Sequence, residues 1–220
     1  MDHDPAPQDS RRIDVGRVVA VTAFTLLLTL NVLRLASGEP FSHAFMVVNT
    51  GLALVFYLLL IAAYLRRVPS SRTDRRWSSW LVALLGTCAP FAIPLVSQGP
   101  REGGPLALVA AVVLGLGLLA MLWALGSLGT NISVVPQARA VVSHGPYARV
   151  RHPLYAAELV NVLGLCLAST GPGPWVVMAA LITFQVVRAR REEELLSREL
   201  PGYADYKSHT PMLVPALGRS

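Results

Sequence analysis

Residues 144–155 read HGPYARVRHPLY: two His, two Arg, two Pro and two Tyr in twelve positions, with an apolar run beginning directly after them. A second polar segment, RARREEELLSRELPGYADY, covers residues 188–206. The side-chain types define what such a cluster can bind. A guanidinium grips a carboxylate bidentately. A carboxylate suits an ammonium or a pair of hydroxyls, and a tyrosine ring suits a flat or cationic face. Gly145 and Pro146 set a tight turn that lets backbone amides approach a ligand. Pro153 stands where a helix can begin, because its missing N–H costs little at the first helical position. Arg151 and His152 then sit at the helix start.

The same residues also have plain structural uses. Arg188, Arg190 and Arg191 with Glu192 to Glu194 fit a solvated helix carrying i,i+4 ion pairs, worth a few tenths of a kcal/mol each. Arg149 and Arg151 fit topology markers or lipid-headgroup contacts. Tyr147 and Tyr155 fit an interfacial aromatic belt, and His144 an ordinary loop residue. Glu158 lies one helical turn beyond Tyr155, inside an apolar run. A carboxylate there is costly and is a functional candidate by default, or a partner for an Arg such as Arg151. Asn31, Asn49 and Gln185 read as interhelical hydrogen-bond partners.

The elements that must position these groups follow from composition. Of the 220 residues 53% are hydrophobic and 15% charged, against about 25% charged in an average soluble domain. The mean hydropathy is +0.51. Six apolar runs approach the roughly 20 residues needed to cross a bilayer as helix. They are about 16–36, 44–65, 80–96, 105–128, 153–168 and 174–187. Pro90 and Pro94 predict a kink in the third. The helix breakers of STGPGP join the last two as a hairpin. The fold class is therefore an all-α, polytopic membrane helical bundle of about six spans. Residues 1–15 form a disordered tail, 16–128 the N-terminal helices, and 129–220 a core holding the polar segments.

Seventeen of the nineteen basic residues fall on one side of this arrangement, and only Arg34 and Arg101 on the other. Basic residues stay on the cytoplasmic face. Both termini, the 144–152 loop and the C-terminal segment are thus expected in the cytoplasm, with the protein in the plasma (inner) membrane. The NIS triplet at Asn131 would then stay unglycosylated. The basic balance reads as membrane orientation, so no nucleic-acid partner is expected. Cys88 and Cys166 read as buried apolar residues. His3, His43 and His209 form no ligand set with His144 and His152, so no metal is expected. No G-x-G-x-x-G fingerprint occurs, which excludes the soluble Rossmann layout. Small residues at 111, 115, 120 and 124 are compatible with close helix contact.

Together the two polar segments resemble the isoprenylcysteine carboxyl methyltransferase and phospholipid methyltransferase superfamily of integral membrane enzymes. That family's pattern is roughly G-P-Y-x-x-V-R-H-P-x-Y, a helical hairpin, R-x-x-x-E-E-x-x-L, then Y-x-x-Y. Gly145, Pro146, Tyr147, Val150, Arg151, His152, Pro153 and Tyr155 fill the first part; Arg188, Glu192, Glu193, Leu196, Tyr203 and Tyr206 fill the rest. The resemblance covers about residues 125–215. Three consecutive Glu leave two registers for the family's pair; the spacing from Arg188 favours Glu192 and Glu193, the spacing to the PGY stretch favours Glu193 and Glu194, and the first is adopted with Glu194 as the reserve.

The resemblance implies S-adenosylmethionine as methyl donor, S-adenosylhomocysteine as product, and a lipophilic acceptor such as a prenylcysteine-like carboxylate or a phospholipid amine. Arg151 and Glu192 are expected as catalytic residues on the resemblance, and Glu158 on its position as a carboxylate inside an apolar span. Cofactor contacts are expected from His144, Gly145, Tyr147, Arg151, His152, Pro153, Tyr155, Glu192, Glu193 and Tyr203. The alternatives are an NADPH-dependent membrane reductase of the sterol-reductase type and a non-catalytic membrane scaffold.

Overall fold

The computed structural model describes residues 15–36, 44–66, 76–128 and 141–215. The tail, the 128/129 boundary, Asn131, His3, His43 and the basic residues Arg11, Arg12, Arg67, Arg72, Arg75, Arg139 and Arg219 lie outside them. Eight helices follow in order. They are α1 (Val15–Ala36), α2 (Ala44–Leu65), α3 (Trp77–Cys88), α4 (Ile93–Val96), α5 (Gly104–Leu128), α6 (Pro153–Ala168), α7 (Gly173–Glu199) and α8 (Tyr203–His209). The fold is all-α, with one isolated antiparallel bridge, Pro100 to Ser169, among the described residues.

Three helical stretches are long and apolar enough to cross a membrane: Gly16–Leu33, Trp77–Val96 and Gly104–Leu128. Asn49–Leu65 and Pro153–Ala168 are shorter apolar helices, and the first half of α7 is apolar too. The protein is an integral membrane protein. The stretch Trp77–Val96 breaks as its prolines require. A 3₁₀ turn over Ala89–Ala92 carries Pro90, and Pro94 falls in the first turn of α4. The sixth apolar run, expected to end at Val187, does not end a helix. α7 continues without a break to Glu199, because Arg, Ala, Glu and Leu are all strong helix formers.

The core that carries the polar segments is the antiparallel pair α5–α6. Two glycines bring these helices almost backbone to backbone. A Cβ on Gly117 would lie 2.7 Å from the Asn161 backbone, and one on Gly164 would lie 2.8 Å from the Leu114 amide nitrogen. Asn161 Nδ2 donates to the Leu114 carbonyl (3.2 Å) across the same seam. Helices in lipid associate through such close packing, because burial of apolar surface gives them little advantage. Ile93, Val162, Cys166 and Leu181 fill the space between α4, α6 and α7. Ala20, Leu60, Tyr64 and Leu125 join α1, α2 and α5.

At the end of the bundle that holds the α6–α7 turn, Arg101 donates to the carbonyls of Leu167 (3.0 Å) and Ser169 (3.4 Å). Its own amide donates to Ala168 O at 2.7 Å. The cation thus caps the negative end of the α6 dipole. Gln98 N donates to Thr170 O and Thr170 N donates to Gly99 O, each at 3.0 Å.

Two expectations need correction. Asn31 is no interhelical partner; its Nδ2 donates to Leu27 O of its own helix at 2.8 Å. The expectation fails because most of the α1 side chains beside it are exposed, leaving the previous turn as the acceptor. Cys166 is buried, but Cys88 is exposed, at a helix end where a thiol is apolar enough to face lipid. Asn49 does reach a neighbour, Ala111 O on α5, at 3.3 Å.

Gly117→Ala and Gly164→Ala should therefore each lower stability by about 1–3 kcal/mol through overpacking. Gly126→Ala on the same helix α5, where a Cβ meets nothing within 4 Å, should cost nothing and gain up to about 1 kcal/mol of helix propensity. Thermal unfolding of the detergent-solubilised variants checks the contrast.

Candidate functional site

The end of the bundle opposite Arg101 collects the two polar segments. The chain leaves α5 and reaches a 3₁₀ turn over Gly145–Ala148. Gly145 has φ +61°, and a Cβ there would stand 2.8 Å from Ser127 Oγ, so glycine is required on both counts. His152 is the N-cap residue of α6 and Pro153 its first residue, both buried. From the other side the last turns of α7 bring Glu192 and Glu193, and α8 brings Tyr203, Tyr206 and Lys207.

Glu193 is the centre of the assembly. Its side chain is 5% exposed. Arg151 Nε donates to Oε1 at 2.7 Å, the His152 ring nitrogen Nε2 lies 3.2 Å from the same oxygen, and Lys207 Nζ stands 3.2 Å from Oε2. Arg151 Nη1 goes on to donate to the carbonyls of Lys207 (2.8 Å) and Thr210 (2.5 Å). The amides of Arg151 and His152 donate to Pro211 O (2.8 Å) and Met212 O (3.0 Å). The loop, α7, α8 and the C-terminal segment are thereby clasped together.

Burial pushes the Glu193 carboxyl up, but the hydrogen bonds from His152, Arg151 and Lys207 outweigh it and hold the group at about 2. Burial pushes Tyr206 up to about 12, against the opposing pull of Arg151. Tyr147 and Tyr203 are raised as well, by burial first and then by the nearby carboxylates. These phenols therefore stay protonated donors, and Tyr206 OH donates to Tyr147 O at 2.6 Å.

Glu192 is placed differently. Tyr155 OH donates to its Oε2 at 2.9 Å, and His152 Nδ1 lies 3.8 Å away. His152 and Tyr155 are stacked, with parallel rings and centroids 5.3 Å apart. The Glu192 side chain is 29% exposed, and Oε1 accepts no hydrogen bond among the described residues. This carboxylate is oriented but not saturated. Glu194 turns away, pairing with Arg76 at the start of α3 (3.3 Å) and with Arg198 (2.5 Å).

Toward the bundle interior from Glu192 a polar column continues. The Arg188 guanidinium lies 4.7 Å over the Tyr155 ring, within 3.5 Å of Gln185 Oε1. Gln185 Nε2 donates to Glu158 Oε2 at 2.5 Å. Glu158 thus pairs with Gln185 and does not reach Arg151. Of the ten expected cofactor contacts, Tyr147, Arg151, His152, Pro153, Tyr155, Glu192, Glu193 and Tyr203 are brought together. Gly145 forms the turn, and the His144 side chain stands exposed outside the cluster.

Sequence reasoning passed over Lys207, Thr210, Pro211 and Met212. Lys207 carried a signal, being the chain's single lysine. The carbonyls of Thr210, Pro211 and Met212 carry none, because any residue supplies them. Among the described residues no group of three or more His, Cys, Asp or Glu is placed to hold a metal ion.

The family model of the phospholipid methyltransferases matches residues 105–201. That segment runs from α5 through the clasp to the end of α7 and holds most of the motifs that resemble the integral membrane methyltransferases. Among particular proteins, the chain is similar to the nickel-cobalt-cadmium resistance protein NccN of Alcaligenes xylosoxydans xylosoxydans. The two are 32% identical over 114 residues, 50% of this chain and 53% of the relative. The cobalt-zinc-cadmium resistance protein CzcN of Cupriavidus metallidurans is 31% identical over 111 residues, 44% of this chain and 50% of the relative. The chain spans about half the length of these curated relatives.

The depressed Glu193 value sets a pH dependence. A carboxyl with a lowered folded-state value stabilises the fold fully above its ordinary value of 4.5, and that stabilisation is lost as pH falls toward about 2. At neutral pH Glu193→Gln should cost about 3–5 kcal/mol, the scale for breaking a buried ion pair. The gap between wild type and variant should narrow progressively as the pH drops from 4.5 toward 2. Unfolding of both proteins across a pH series measures it; a constant gap would show that the carboxylate charge is not what closes the clasp.

Proposed function

We propose that the protein is a methyltransferase that moves a methyl group from S-adenosylmethionine to a lipophilic acceptor at the cytoplasmic face of the membrane, with both termini on that side. The observation that carries the reading is Glu192. Its carboxylate is fixed by Tyr155, sits beside the stacked His152 ring, and keeps one oxygen open. An organic cation with hydroxyls is the ligand such a group fits. The family match over residues 105–201 supports the same class.

The donor would supply an electrophilic methyl on a sulfonium, whose leaving group departs neutral. The protein then has three tasks. Glu192 holds an ammonium or a ribose diol and the Tyr147 ring offers a face to a flat or cationic group, while Tyr155, engaged by His152 and Arg188, orients Glu192. Glu193 acts through Arg151, His152 and Lys207, which keep the C-terminal segment closed against the loop and water out. Alignment of donor and acceptor is worth about 7–11 kcal/mol of barrier when the geometry is held. Arg151 is a positioning residue in this scheme, since Nε and Nη1 are engaged with Glu193, Lys207 and Thr210.

The acceptor meets the site from the membrane side, where the column Arg188–Gln185–Glu158 begins. A carboxylate acceptor needs only a guanidinium to hold it, and Arg188 supplies one. An amine acceptor must also lose a proton, and Glu158 is the buried carboxylate placed to take it.

Glu192→Ala should abolish binding of S-adenosylmethionine while the protein still folds, and Arg151→Ala should do so by releasing the C-terminal segment. Calorimetric titration of the purified proteins reads both. Purified wild type given tritiated S-adenosylmethionine and a lipid extract should label a lipid-phase product that mass analysis then identifies. Unchanged donor affinity in both variants, or binding of NADPH in place of the methyl donor, would remove the assignment.

A further inference from the structure

On the outer side of the clasp lies a recess of about 510 Å³, between the 148–151 loop, the end of α8 and the segment 210–215. Arg149, Arg151, Lys207 and His209 line it, with Thr210 and Met212 between them, and no acidic side chain does. Glu192, Tyr155 and Glu158, the groups assigned to donor and acceptor, are not part of its wall; Arg151 of the clasp is the residue the two regions share.

Its charge is not cancelled locally. Arg151 and Lys207 both lean on the single carboxylate of Glu193, and His209 is 3.6 Å from Asp205. Arg149 has no carboxylate partner among the described residues; its guanidinium lies 5.7 Å over the Trp123 ring. Two or more cations sharing one buried anion leave a positive field directed into the recess. Lysine and arginine side chains of this kind bind phosphate oxygens by charge-assisted hydrogen bonds. Trp123 lies near the end of α5, where a tryptophan marks the headgroup level of a bilayer. The volume fits the range of small-ligand sites, about 300–1,000 Å³, and exceeds a bare phosphate.

We propose that this recess binds a phosphate group, carried by an anionic lipid headgroup or by a free phosphate compound, with Arg149 as the residue that reads its charge. The ligand is not consumed. It sits against Arg151 and the 210–212 segment and so steadies the clasp from outside. Because the binding is electrostatic and partly exposed, it weakens as ionic strength rises.

Native mass spectrometry of the full chain in detergent tests this, with phosphatidylglycerol, phosphatidylcholine and inorganic phosphate as probes. Wild type should retain phosphatidylglycerol about tenfold more tightly than phosphatidylcholine, and inorganic phosphate should compete for it. Arg149→Gln should weaken phosphatidylglycerol binding and Arg149→Glu should weaken it further, by about tenfold or more, with phosphatidylcholine unaffected. Binding of inorganic phosphate without preference for phosphatidylglycerol, again lost in Arg149→Glu, would support the recess with a water-soluble occupant. Equal phosphatidylglycerol retention in wild type and Arg149→Glu, or no binding of either anionic probe, would overturn it. The melting temperatures of the variants report folding separately. S-adenosylmethionine titration should be unchanged in Arg149→Glu, so failure here and failure of the methyltransferase reading are told apart.

Discussion

A carboxylate withdrawn from water must recover its hydration from protein donors, and Glu193 recovers it from three side chains on two segments. Arg151 and His152 reach it from the loop before α6, and Lys207 from α8. Each contact removes a freedom that the chain would otherwise keep. The loop cannot swing from α7 without stranding a buried charge, and α8 cannot lift without taking Lys207 away. The tail is bound more indirectly, through the carbonyls that Arg151 and the two loop amides engage. A surface ion pair would contribute little; the burial of this one makes it decisive, since an unpaired charge there is far costlier than an unpaired charge in water.

That polar closure stands on an apolar platform built by a different rule. The α5–α6 seam depends on what is missing, a Cβ at Gly117 and at Gly164. The close approach sets where α6 begins relative to the end of α5, and hence where His152 and Tyr155 face α7. Below Glu192 the Arg188–Gln185–Glu158 column keeps charged groups inside the helical region tolerable by mutual contact. The site therefore grades from the saturated carboxylate of Glu193, through the half-open Glu192, to the Gln185–Glu158 pair between α6 and α7.

Much of this was legible in the chain. Pro153 fixes the start of α6, the Ser-Thr-Gly-Pro turn fixes its end, and the observed helix has those bounds. Pro90 and Pro94 announced the break between α3 and α4. The choice of Glu192 and Glu193 over Glu194 rests on the motif's spacing from Arg188; in the structure these two side chains meet the loop and Glu194 meets Arg76 and Arg198. What hydropathy could not show was the length of α7, since the pattern that marks a span stops where the membrane does and the helix does not. The contribution of Thr210 to Met212 is made by backbone carbonyls, which have no residue signature. Asn31 and Cys88 went astray for one reason: which face of a helix meets a neighbour is a tertiary fact.

The two ends of α6 and α7 are held in unlike ways. At the turn, Arg101 and the backbone bonds around it lock the pair to the chain between α4 and α5 by short-range contacts to main-chain atoms. At the far end the pair is held by side-chain charges on long, flexible stems. A hairpin anchored so firmly at its bend moves, when it moves, by a spreading of its tips. Spreading at Tyr155 and Glu192 must first loosen the Arg151, His152 and Lys207 contacts to Glu193, so opening of the site and release of the clasp are one event while the Arg101 end keeps its seal.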